Sequence, residues 1–461
     1  MTRTDDALAY HAPDTVDAAR RRLAETPGAR VIAGGQTLML LVRQGLVDAD
    51  ALVDIENVPA LSGIAVGSGT ATVGATTTYA DLLAADLTDR VGALGDACAV
   101  VGDRQVRNAG TLGGAVCHAD PALDVLAPLL CLDAELSLGS VDGERTVPLP
   151  EFLVGHMRTA LDPAELVESI RFDVPSASGA TGRVSAGSAY EKHARVADGW
   201  ATVGVAALVS VADGAFETVR IGLTAVAGAR GRARADRRAG HQGSGRGGER
   251  TGHRRDGPAR RPLGVGRVQG RARADARRAE SRDRGRASGG VAVRLSFDLD
   301  GESVTVDVPP ERPLRDVVRE ECGETSVKAG CDSGRCGVCT VHLAGEAVKS
   351  CLVPAAKADG ASVTTVAGIE EGTTGRALQD AFEAEFALQC GYCTPGMVMT
   401  ALDYLEDESG GDGDGSNDGE GGSNADREAI RAALSGTACR CTGYEKIVDA
   451  VEAVATGDDG D

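Results

Sequence analysis

The chain has 461 residues, 42% of them hydrophobic, which is enough for two to four domains with real cores. No stretch approaches the roughly 18 uncharged apolar residues of a membrane helix, and MTRTDDALAYH lacks the layout of a signal peptide, so a soluble cytoplasmic protein without a membrane partner is expected. A net charge of −20 disfavours nucleic acid as a partner and suits a halophilic, high-salt cytoplasm; only five of the 48 basic residues are lysine (Lys192, Lys328, Lys349, Lys357 and Lys446).

Residues 1–227 read as an α/β domain. Helical patterns at 16–25 and 122–131 alternate with apolar runs at 51–55, 64–66 and 170–174. A short strand leads into Ala33, Gly34, Gly35, Gln36 and Thr37, and a helix follows at 38–44. Exposed amides at such a junction bind phosphate, yet the pattern is neither a Walker loop nor a dinucleotide GxGxxG, so an ordinary strand–turn–helix stays open. A second glycine loop follows, VRNAGTLGGA, containing Thr111, Leu112, Gly113, Gly114 and Ala115 and leading to His118 and Asp124.

Residues 228–290 differ in composition from the rest. Over 229–290 there are 19 Arg and no Lys against six acids, a net +13, with no Phe, Tyr, Trp, Ile or Met. Such a stretch buries too little apolar area to offset chain entropy and is expected to be disordered. Three origins are open: an RNA-binding basic linker, an inert linker, or an out-of-frame reading of GC-rich coding sequence. The last is favoured, because patterned sequence stops abruptly after IGLTAV and resumes as abruptly at Val291.

Residues 291–461 form a cysteine-bearing unit that divides at about 368. It opens with a strand, an Asp300-Gly301 turn and a second strand at 304–308, a hairpin signal. Twelve cysteines in a chain without an export signal point to metal or redox chemistry. Cys331, Cys336, Cys339 and Cys351 have the C-x4-C-x2-C-x11-C spacing of a plant-type [2Fe-2S] ferredoxin, and Gly330, Gly334 and Gly337 allow the tight curl that four converging thiolates need. Cys390 and Cys393 fall between helical patterns at 378–388 and 397–406, and Cys439 and Cys441 between 427–434 and 444–454. Taken alone, this second set is ambiguous between zinc and iron–sulfur. A Gly/Asp-rich patch at 409–425 reads as a solvated insertion. Cys98, Cys117, Cys131 and Cys322 have no partners at ligand spacing and read as buried thiols.

VKAGCDSGRCGVCTV, LQCGYCTPGMVM and LSGTACRCTGYEKIVDAV resemble the small iron–sulfur subunit of the molybdenum hydroxylases, the xanthine dehydrogenase, aldehyde oxidoreductase and carbon monoxide dehydrogenase group, over 293–455. AGGQT, the second glycine loop and YEKHARVADGWATVGVAAL resemble the FAD-binding medium subunit of the same group, over 1–227. The resemblance implies a PCMH-type α/β FAD-binding domain, a β-grasp [2Fe-2S] ferredoxin domain (291–368) and a four-helix [2Fe-2S]-binding domain (369–461). All eight cysteines of the two sets would then be ligands. The two glycine loops would wrap the FAD pyrophosphate, Asp124 would reach ribityl or ribose hydroxyls, and Lys192 would lie near the flavin unless it is a solvated surface charge. His118 would be a structural residue or a flavin contact, and Gln389 a pterin contact or a structural residue. No general acid or base is implied. Electrons would run from a molybdopterin cofactor on a large partner subunit through both clusters to FAD and on to an external acceptor, in a dimer of heteromers. The alternative is a stand-alone flavin/iron–sulfur reductase, which lacks a nicotinamide fingerprint. Two departures stand out: Thr437-Ala438 replaces the usual Asn-Leu before the last Cys-Arg-Cys, and the Arg-rich segment occupies the place of a further medium-subunit subdomain.

Overall fold

The computed structural model describes residues 8–67, 69–175, 184–196, 199–212, 215–226, 232–234, 292–410 and 427–457. β1 (Ala9–His11), α1 (Val16–Glu25), β2 (Ala29–Ile32), α2 (Leu38–Arg43) and β3 (Ala51–Asp54) build a small parallel sheet in the order β1-β3-β2. All four residues of β3 are buried, as its continuous apolar run requires of a central parallel strand. α1 starts where Thr15 accepts the Ala18 N–H at 3.2 Å, and it buries Ala19 and Leu23, four residues apart.

β4 (Ile64–Val66) and β5 (Thr70–Gly74) are followed by six short helices, α3 (Tyr79–Ala84), α4 (Leu87–Arg90), α5 (Gly92–Ala99), α6 (Arg104–Ala109), α7 (Leu112–His118) and α8 (Leu126–Cys131). β6 (Glu135–Ser140), β7 (Gly143–Pro148), α9 (Leu149–Phe152), β8 (Leu153–Gly155), β9 (Arg158–Thr159) and β10 (Leu166–Asp173) complete a five-stranded sheet, β4-β5-β10-β6-β7, and a two-stranded ribbon, β8-β9. Val73, Leu94, Leu112, Val116, Leu129, Leu136, Ile170 and Phe172 belong to the core between this sheet and the helices.

An antiparallel meander follows: β11 (Val184–Ala194), β12 (Ala201–Ala212), β13 (Ala215–Thr224) and β14 (Arg232–Arg234). The expectation of disorder across 228–290 therefore fails at Arg232–Arg234, which pairs antiparallel with β13. A sheet edge offers backbone donors and acceptors that any non-proline sequence can take up. The rest of that segment, and 411–425 of the Gly/Asp-rich insertion, lie outside the described residues.

In the C-terminal half, β15 (Val293–Leu299), β16 (Glu302–Val308), α10 (Leu314–Glu320), β17 (Thr340–Leu343), β18 (Glu346–Lys349) and β19 (Ser362–Thr364) form a mixed sheet, β16-β15-β19-β17-β18, with a helix. The Asp300-Gly301 turn closes β15 onto β16 with both residues at positive φ, 55° and 84°, as a two-residue hairpin of primed type demands. Leu295, Phe297 and Leu299 alternate into the core against Leu314, Val317 and Val318.

Four helices end the chain, α11 (Thr374–Ala384), α12 (Thr394–Gly410), α13 (Arg427–Leu434) and α14 (Glu445–Thr456), around Leu378, Phe382, Met397, Val398, Ile430, Leu434, Ile447 and Val451. No helix among the described residues is long and apolar enough to cross a membrane.

Candidate functional site

Cys331, Cys336 and Cys339 sit on the loop between α10 and β17, and Cys351 just beyond β18. Backbone N–H groups of Ser333, Arg335 and Cys336 donate to Cys331 Sγ at 3.4, 3.3 and 3.3 Å. The facing Cys336 thiol and these amides hold Cys331 well below the ordinary thiol range, and Cys336 is pushed up in return. Cys339 and Cys351 are paired in the same way, with Cys339 lowered and Cys351 raised. The loop is as tightly curled as its glycines suggest: Gly334 and Gly337 adopt φ of 72° and 65°, and a Cβ on Gly330 would strike Cys336 Sγ. Buried Arg315 on α10 binds Asp332 and so fixes the loop from behind.

The second set lies at the junctions α11–α12 and α13–α14. Cys390 and Cys441 are exposed with their sulfurs 3.5 Å apart; Cys393 is half-buried and Cys439 buried. Burial and then the facing Cys439 raise Cys393, while Cys439 is lowered despite its burial because Thr442 and Cys393 bond to its sulfur. The eight thiols therefore group two by two. Among the described residues no three His, Cys, Asp or Glu side chains converge as one metal ion would need. Paired thiolates suit a two-iron cluster, in which each iron takes two.

The two loops touch. Ala438 N–H donates to the Cys336 carbonyl at 2.9 Å, and Tyr392 OH to the Ala329 carbonyl at 2.7 Å. Thr437, fully buried, meets Thr400 Oγ1 at 3.0 Å, so the Thr-Ala pair is built into this contact.

A cavity of about 1330 Å³ lies between the two halves of the chain. From the N-terminal half it is lined by Ala33, Gly34, Gly35, Gln36, Thr37, Thr111, Gly113, Gly114, Ala115, His118, Asp124 and Lys192; Ser333, Gly334, Arg335, Lys349 and Leu352 close it from the other. Thr111 caps α7 by accepting the Gly114 N–H at 3.1 Å. Leu112 is not in the wall; it is fully buried, since the first turn of α7 points it into the core. Lys192 is no solvated surface charge. Its side chain is 6% exposed and donates to Asp124 Oδ2 at 2.9 Å and to the Val100 carbonyl at 2.8 Å. Asp124 also accepts from Tyr190 OH at 2.7 Å. Burial raises Asp124, with Lys192 and Tyr190 opposing the rise, and burial lowers His118. Gln389 is exposed beside Cys390. Cys98 and Cys131 are buried as expected, whereas Cys117 is exposed on the cavity wall and Cys322 is half-buried.

Family models match along most of the chain: an "FAD binding domain in molybdopterin dehydrogenase" over 5–176, a "2Fe-2S iron-sulfur cluster binding domain" over 297–365 and a "[2Fe-2S] binding domain" over 365–452. The N-terminal half is 34% identical over 220 residues to the carbon monoxide dehydrogenase medium chain of Hydrogenophaga pseudoflava, covering 47% of this chain and 74% of that one. The chain belongs to the molybdenum hydroxylase family. Its halves match two different proteins of Paenarthrobacter nicotinovorans. The C-terminal half is 36% identical over 159 residues to the 6-hydroxypseudooxynicotine dehydrogenase complex subunit beta (34% of this chain, 91% of the relative). The N-terminal half is 35% identical over 205 residues to subunit alpha of that complex (44% and 67%).

Sequence reasoning missed how a molybdenum hydroxylase chain of this kind joins its halves. Residues 103–108, which run into the second glycine loop, bind the iron–sulfur half. Asp103 pairs with Lys349; Arg104 pairs with Asp403; Gln105 donates to Thr400 Oγ1 at 2.6 Å; Asn108 donates to the Ala347 carbonyl at 3.2 Å. Arg43 binds the carbonyl of Cys351. The available signal was weak: a polar run, DRQVRN, in which the Asp103 cap on Val106 and the Arg107 bond to the Val101 carbonyl are local while the other partners lie far along the chain.

Proposed function

We propose that this chain is the FAD- and iron–sulfur-bearing electron-transfer component of a molybdenum hydroxylase. Cys390, Cys393, Cys439 and Cys441 would hold the cluster on the side of a molybdopterin subunit, and Cys331, Cys336, Cys339 and Cys351 the one beside the cavity, so that bound clusters and FAD would supply a path for electrons toward an external acceptor. The observation that carries this reading is an unbroken series of contacts: an exposed thiol pair, a hydrogen bond from Ala438 to the Cys336 carbonyl, and a cysteine loop whose Ser333, Gly334 and Arg335 form a wall of the cavity. When bound, the clusters supply one-electron carriers and the flavin a two-electron store.

The chain's own residues hold and insulate. Cys331, Cys336, Cys339 and Cys351 would ligate the inner cluster, and Cys390, Cys393, Cys439 and Cys441 the outer one. Exposed Cys390 and Cys441 suit the entry side, and buried Cys339 and Cys351 suit a relay shielded from solvent oxidants. Residues Ala33–Thr37 and Thr111–Ala115 would cradle the pyrophosphate, with Asp124 and Lys192 a pre-bonded pair beside the flavin. Phe386, 81% exposed, with Leu388 and Tyr392, flanks Cys390 in the chain and suits the large subunit's docking face, with Gln389 among them as the candidate pterin contact.

The test is anaerobic reduction by substrate in the complex with the large subunit. Cys441→Ser should abolish flavin bleaching by substrate while dithionite still bleaches it. Flavin reduction by substrate at an unchanged rate would refute the route.

A further inference from the structure

Lysine is rare in this chain, yet three of its five lysines have side chains no more than 6% exposed: Lys192, Lys349 and Lys357. Lys192 and Lys349 lie in the cavity wall, and Lys357 stands behind its first glycine loop. Lys357 belongs to the iron–sulfur half, on the 3-10 turn Ala355–Ala358, and its ammonium crosses to the other half. There it donates to the Ala33 carbonyl at 2.6 Å and pairs with Asp54 at 3.4 Å and with Glu56. Of the ammonium's three donors, one goes to the Ala33 carbonyl and one to Glu56, with Asp54 as a further ion-pair partner.

The Ala33 carbonyl and the Gly34 N–H belong to one trans peptide and point in opposite directions, so the partner of the carbonyl decides where that N–H faces. On its other side the loop is pressed against the end of α6, where a Cβ on Gly34 would overlap the Ala109 carbonyl. The loop is thus gripped from both sides, once by its own half and once by Lys357. Asp54 is 4% exposed and also binds Tyr10 OH, so removing the ammonium would leave a carboxylate and a carbonyl undercompensated inside the boundary.

We infer that Lys357 is a positioning residue for the flavin: the iron–sulfur half orients the first glycine loop of the FAD-binding half, and flavin affinity is set across the domain boundary. This rests on the reading of the cavity as an FAD site.

The experiment measures FAD affinity of the full chain by equilibrium dialysis, with iron, acid-labile sulfide and the EPR signal of the reduced plant-type cluster recorded on the same samples. Lys357→Met should weaken FAD binding by about tenfold or more with iron, sulfide and EPR unchanged, as the loss of a charge-assisted hydrogen bond implies. Lys357→Arg, which keeps a cation and donors, should stay within about threefold of the wild type. Lys446→Met, which removes a lysine paired with Glu385 and Asp449 on the helical domain, should bind FAD as the wild type does. Equal affinity of Lys357→Met and wild type would overturn the inference, as would an equal loss in the Met and Arg variants. Loss of the cluster signal together with FAD would assign Lys357 to folding and overturn the positioning role. Failure of the wild type itself to bind FAD would instead remove the flavin reading.

Discussion

Lys349→Met tests how the two halves are held together. The Lys349 side chain, at the end of β18, is 1% exposed, and its ammonium binds Asp103, 3% exposed, which caps α6 by accepting the Val106 N–H at 3.1 Å. With both ends out of solvent, screening cannot soften the loss. Met fills much the same volume but leaves Asp103 as a buried carboxylate supported by the Val106 N–H. Breaking a buried pair from one side costs ~3–5 kcal/mol, against at most ~1 kcal/mol for an exposed pair. At about 1.4 kcal/mol per decade, the equilibrium constant should fall by roughly 10²-fold to a few thousand-fold. The assay is urea unfolding of the full chain, read by near-ultraviolet circular dichroism and visible cluster absorbance. Adding Asp103→Asn to Lys349→Met removes the orphan charge and keeps a side chain able to cap α6, so the double variant should recover more than half of the loss. A single variant within about 1 kcal/mol of wild type, or a double variant no better than the single, would refute the reasoning.

Cys393→Ser should remove one reduced-cluster EPR signal and leave the plant-type signal; loss of both would show that the clusters assemble as a unit. Gly34→Ala should abolish FAD binding, since its Cβ would overlap the Ala109 carbonyl, and dialysis against FAD checks this. Burial lowers His118 below its ordinary 6.5, so the stability it contributes is complete above that value and is lost as pH falls through the lowered one. His118→Gln should flatten that acid-side loss in urea titrations between about pH 5 and 7, and an unchanged slope would place it elsewhere. Deleting residues 411–425, a polar Gly-rich stretch, should leave iron content and both EPR signals intact.

Local chemistry explains which features could be read from the sequence. Thr15 and its apolar i, i+4 pair mark α1, Asp300-Gly301 marks the hairpin, and the C-x4-C-x2-C spacing marks the inner thiol loop, because each acts over a few residues. α11 is displaced from the expected 378–388 to Thr374–Ala384: Thr373 caps it early, and Phe386 adopts a left-handed φ of 52° that ends it. The Leu112 side chain turns into the core while its loop neighbours line the cavity, because a loop motif does not say which way each side chain turns. The bonds from Asp103, Arg104, Gln105 and Lys357 span some 235 to 325 positions. No periodicity or spacing rule reaches that far, so the burial of Lys192 and Lys349 in the cavity wall, and of Lys357 behind it, is a property of the tertiary fold.

The most direct test of the central claim is an anaerobic dithionite titration of the purified chain with iron, acid-labile sulfide and FAD quantified. Two [2Fe-2S] clusters and a flavin predict about four irons, as much sulfide, one bound FAD and two distinguishable reduced-cluster EPR signals. One equivalent of zinc with no acid-labile sulfide and no bound flavin would contradict it.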